Sequence, residues 1–93
     1  MSIEYEDLKR KILEAAQECA RQGPGYSQQR PVFDKVAESF GGGHYSQPAL
    51  EVQQAILTCW HDLFREGDLS WGHDLDNPDA PFFHIHSSIC LTL

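Results

Sequence analysis

Ninety-three residues with 41% apolar content suffice for one small hydrophobic core and leave no room for two, so a single domain over residues 1–93 is expected. Fourteen carboxylates against seven cations give a net charge of -7, which disfavours nucleic acid and anionic membranes as main partners, because both are recognised largely through Lys and Arg. No apolar run is long enough to span a bilayer, the start MSIEYEDLKRK lacks the order of a secretory signal, and Cys19, Cys59 and Cys90 form no C-x-x-C pair. The expectation is a soluble, cytoplasmic protein with reduced thiols and without a disulfide framework or thiol zinc cluster.

Along residues 4–22, Tyr5, Leu8, Ile12, Ala15, Ala16, Cys19 and Ala20 recur at steps of three and four, which predicts a helix with one buried face. Gly23-Pro24 supplies its stop. PGYSQQR reads as a polar turn. Pro31 then suits a first helical position, and Val32, Phe33, Val36, Ala37 and Phe40 predict a second helix over 31–40, ended by Gly41 to Gly43. No Lys-Ser/Thr follows the three glycines, so they read as a helix connector and not a phosphate cradle.

A third helix is predicted over 48–66, capped by Ser46 and burying Leu50, Ile56, Leu57, Trp60, Leu63 and Phe64. After Gly67 the period changes. Leu69-Ser70-Trp71 and residues 81–86 predict a hairpin over 69–86 around the turn-prone GHDLDNPDA, and Ile89, Leu91 and Leu93 alternate as a third short strand would.

This order of elements, with Arg65-Glu66-Gly67-x-Leu69 at the last junction, resembles the winged helix-turn-helix fold. The resemblance implies an α+β domain of three helices closed by a C-terminal β-hairpin, the wing. FREGDLSWGHDLDNPDAPFFH is also similar to a motif in uncharacterised modules of larger bacterial proteins, some of them in defence systems. Winged helices serve as DNA readers and as protein-docking modules, so the residues must choose between them.

On the side of the third helix opposite its apolar face stand Glu51, Gln54, Thr58, Asp62 and Arg65, with Gln53 and His61 at the margins. Gln53, Gln54, Thr58 and Arg65 are the candidates for base and phosphate contacts, with Lys9, Arg10 and Lys11 as backbone contacts if the fold brings them to the same side. Glu51, Asp62, and the wing residues Asp74, Asp76 and Asp79 oppose that use, and no Lys or Arg follows Arg65. His84 and His86 share a strand face, and His73 or Asp74 at the other end of the loop would supply the third member of a donor set for zinc. Turn chemistry and a half-exposed strand account for the same letters, so no cofactor is expected. Asp74-x-Asp76-Asn77-x-Asp79 begins like a calcium loop, but Asp79 stands where glycine is needed and Ile85 where the bidentate Glu belongs. Cys59 and His61, two apart on a helix, point away from each other, and no catalytic constellation emerges.

The residues therefore favour a non-catalytic interaction module. It would dock to a protein partner, to a following domain of the same chain or to a second copy as a homodimer, with Ile89, Leu91 and Leu93 as an apolar edge for pairing. A winged-helix DNA-binding regulator is the second reading and a metal-binding hairpin the third.

Overall fold

A computed structural model describes residues 4–23, 26–40 and 48–85. The chain is α+β: α1 (Tyr5–Gln22), β1 (Tyr26–Gln28), α2 (Gln29–Glu38), α3 (Leu50–Arg65), β2 (Leu69–Trp71) and β3 (Phe82–Ile85). The strands form one antiparallel sheet in the order β1-β3-β2. Three helices with such a sheet are compatible with a winged-helix-like arrangement. No helix among the described residues is long and apolar enough to cross a membrane.

The predicted face of α1 buries Leu8, Ile12, Ala15, Ala16 and Ala20, and α1 packs on both α2 and α3. Its counterparts are Val32 and Val36 of α2, Ile56, Cys59, Trp60 and Leu63 of α3, Leu69 of β2 and Phe83 of β3. Trp60 is the hub of this core. Its indole meets Phe33 and Phe83 edge-on at 5.2 Å, Phe64 at 5.1 Å and Trp71 at 6.1 Å, separations and angles that aromatic quadrupoles favour.

Several expectations need correction. The stretch read as a polar turn contains β1, which pairs Ser27 opposite Phe83. β1 is therefore the third strand of the described sheet, and the short strand expected over 89–93 falls outside the described residues. Ile89, Leu91 and Leu93 lie outside the described residues, as do Ser46 and His86. The second helix starts at Gln29, two residues before Pro31, because the Gln29 N–H closes the strand pairing on the Pro81 carbonyl at 3.0 Å. Proline is tolerated throughout a first turn, whose N–H groups have no helical partner, so Pro31 did not mark the start. Phe40 follows α2 in a turn.

The third helix is shorter than the predicted 48–66. Ala49 precedes it without a side-chain cap, and its carbonyl accepts from the Val52 and Gln53 N–H groups at 2.9 and 3.0 Å. At the other end the Asp68 N–H returns to the Leu63 carbonyl at 2.9 Å, a closure made by Gly67 at φ +87°, which L side chains rarely adopt. Leu50 and Leu57 were expected in the core and are 66% and 43% exposed. They lie two turns apart on one flank of α3, where Leu57 borders α2 across an open groove.

Candidate functional site

Two surfaces carry the residues singled out by the sequence: the outward side of α3 and the wing joining β2 to β3. Gln54, Thr58 and Arg65 share a shallow surface on α3 with Leu57 and His61. Gln53 does not join them. Its amide donates to the Pro48 carbonyl at 2.8 Å, which turns it toward α2. The Thr58 hydroxyl donates back to the Gln54 carbonyl at 3.0 Å, a local bond common for threonine within helices.

Asp62, expected on the outward face, is buried at 8% exposure because the start of α1 lies against that flank. Its carboxylate accepts the Tyr5 hydroxyl and the Arg65 guanidinium. The Tyr5 hydrogen bond, with help from Arg65, holds the Asp62 carboxyl below the ordinary carboxylate range. The same bond, reinforced by burial and the Asp62 charge, pushes the Tyr5 phenol up to about 12. One turn further along both helices, Lys9 Nζ lies 2.7 and 2.8 Å from the two Glu66 carboxylate oxygens. Tyr5, Lys9, Asp62, Arg65 and Glu66 thus clasp α1 to the end of α3. Sequence reading missed this cluster because 57 positions separate the partners.

Ion pairs, in the clasp and within single helices, decide what most of the cations can offer. Lys9 is bound to Glu66, Arg10 pairs with Asp7 and approaches Glu14, Arg21 pairs with Glu18, Arg30 with Asp34 and Arg65 with Asp62. The remaining two, Lys11 and Lys35, line a groove between α1 and α2 together with Glu14 and Glu18. Lys9, Arg10 and Lys11 are consecutive but do not form one basic patch on the side of α3 that carries Gln54 and Thr58.

The wing is an ordered turn. Asp74 Oδ1 accepts the Asp76 N–H at 3.0 Å, the Asn77 N–H at 2.7 Å and the Asn77 side-chain amide at 3.2 Å. The His73 N–H donates to the Asn77 carbonyl at 2.8 Å. Burial alone would raise the Asp74 pKa, but the bonds from Asn77, with the His73 charge and the Asp76 N–H, bring it below the usual value. Gly72, at φ +109°, lets the chain turn where any Cβ would sit 2.8 Å from the Pro78 carbonyl oxygen.

His73 stacks on Tyr26 of β1 with ring centroids 3.7 Å apart, and its Nδ1 is 3.5 Å from Asp74. His84 Nδ1 donates to the Gly72 carbonyl at 2.9 Å. Both imidazoles therefore brace the hairpin, and among the described residues no three His, Cys, Asp or Glu side chains converge as metal ligands would. Along β3, Phe83 is buried between half-buried Phe82 and His84. Cys59 is buried and His61 exposed, and burial pushes the Cys59 thiol up, away from the reactive thiolate.

Apolar side chains remain uncovered on the same two surfaces. Besides Leu50 and Leu57, Leu75 at the tip of the wing is 97% exposed. Leu75 was not singled out in the sequence, although a lone leucine within GHDLDNPDA was a readable signal. Comparison with protein-family models, with curated proteins and with solved structures finds no match to this chain.

Proposed function

We propose that this chain is a non-catalytic winged-helix interaction module that docks onto protein. The observation that carries this reading is the division of roles on its surface. Five of the seven cations are held in ion pairs with neighbouring carboxylates, while α3 and the wing present exposed leucines, Leu75 of the wing standing between Asp74 and Asp76. Phosphate recognition needs cations available to displace counterions. Protein interfaces are built on apolar anchors within a polar rim. Free thiols at Cys19 and Cys59 fit a reducing, cytoplasmic setting.

The test is titration of a fluorescent mixed-sequence duplex at low salt. Docking to protein predicts no saturable binding that weakens with added salt. Binding with a steep salt dependence, lost in Arg65→Ala and Thr58→Ala, would establish the DNA-reading alternative instead. That alternative draws on one observation, the shared exposed surface of Gln54, Thr58 and Arg65.

A further inference from the structure

Two features of this surface are complementary. Leu75 projects from a turn already held by the Asp74 carboxylate and the His73–Asn77 bond, so seating it in a partner requires little further ordering of the chain. Between α2 and α3, Phe33, Ala37, Pro48, Ile56 and Leu57 line an open groove of about 220 Å³, room for one branched aliphatic side chain. Arg30 stands at the same groove. Its Nε is 3.0 Å from Asp34, yet its side chain stays 67% exposed, and its other N–H donors have no partner among the described residues and can face a second carboxylate. The knob is flanked by acidic Asp76, and the hole by the Arg30 guanidinium, whose charge Asp34 already shares, so a carboxylate of the knob meets a rim of N–H donors.

We propose that the partner is a second copy of this chain, with Leu75 of one copy seated in the α2–α3 groove of the other and Arg30 meeting Asp76 at the rim. The proposal rests on the docking reading and names its occupant. Each copy offers both halves of the contact, and seating both at once makes a two-fold dimer. The net charge of -7 on each copy opposes approach at low ionic strength. Salt screens that long-range repulsion more than the close contacts, so association strengthens between about 10 mM and about 300 mM salt.

Sedimentation equilibrium of the full chain, from about 10 μM to about 1 mM at both salt concentrations, tests this against Leu75→Lys and Leu57→Glu. Both positions are exposed, and circular dichroism checks that the variants keep their fold. The wild type is expected to rise from 10.5 kDa toward twice that mass, and each variant alone to associate at least tenfold more weakly. An equimolar mixture of the two variants should recover association. Leu75 of the Leu57→Glu copy finds an intact groove on the other copy, and the new lysine faces the new glutamate. A wild type that stays monomeric at about 1 mM in about 300 mM salt overturns the proposal. So does a dimer that the two substitutions leave unchanged, or a mixture that behaves as the average of its parts. The duplex titration is independent of these outcomes: binding there removes the docking reading itself, whereas a monomer that ignores DNA removes only the second copy as its occupant.

Discussion

Four aromatic rings close around Trp60, from Phe33, Phe64, Trp71 and Phe83, so this one residue joins α2, α3 and both strands of the hairpin. Trp60→Ala should cost about 3–5 kcal/mol, a large share of the stability of a small domain, measured as the shift in urea midpoint. Trp60→Phe should cost much less, because it keeps a ring in the site and removes an indole N–H that is buried without a partner among the described residues. Gly72 is the other residue with a single physical requirement. Gly72→Ala would place a methyl group against the Pro78 carbonyl in a backbone region that L residues avoid, and is expected to cost about 1–3 kcal/mol by the same measurement. Neither residue could be ranked from sequence. A tryptophan on an apolar helix face and a glycine after a strand are both common, and only the neighbours made them critical.

Between elements, the clasp of α1 on α3 makes stability depend on pH at both extremes. The Asp62 pKa is depressed, so its contribution is fully present above the unfolded carboxylate value near 3.8 and is lost as pH falls through the lower folded value. The Tyr5 pKa is raised from 10.0 to about 12, so its contribution is complete below pH 10 and is lost as pH rises toward 12. Thermal melts across pH should therefore show an acid-side fall that is reduced in Asp62→Asn and an alkaline fall that is reduced in Tyr5→Phe. Ala16 of α1 is fully buried within the core that the helices share. Ala16→Leu should cost about 1–3 kcal/mol through overpacking, read from urea unfolding. Periodicity showed that Ala16 belongs to a buried face. It could not show that Asp62 does, because the pattern of α3 alone places that carboxylate opposite the leucines, and α1 is what covers it.

For the whole molecule, charge governs behaviour in solution. With a net charge of -7 at neutral pH and a pI near 5.0, copies repel one another at pH 7 and low salt and lose that repulsion as the carboxylates are titrated. Solubility should pass through a minimum near the pI, where light scattering at fixed concentration is expected to be greatest. The same imbalance, combined with the pairing of cations inside the fold, is the reason α3 and the wing are read as a protein-facing surface.

Hydrophobic periodicity, glycine and proline punctuation and net charge determined much of this protein by themselves: three helices, the buried face of α1, the hairpin after Gly67 and the shortage of cations for phosphate. These are local or additive properties, written in residues close together in the chain. The tertiary structure decided the rest. It recruited Tyr26–Gln28 as a strand, left Leu50 and Leu57 uncovered, drew Asp62 inward against Tyr5, and converted the Asp-rich wing into a pinned turn that presents Leu75. Each of these depends on which distant segment lies alongside, and a one-dimensional pattern does not encode that neighbour.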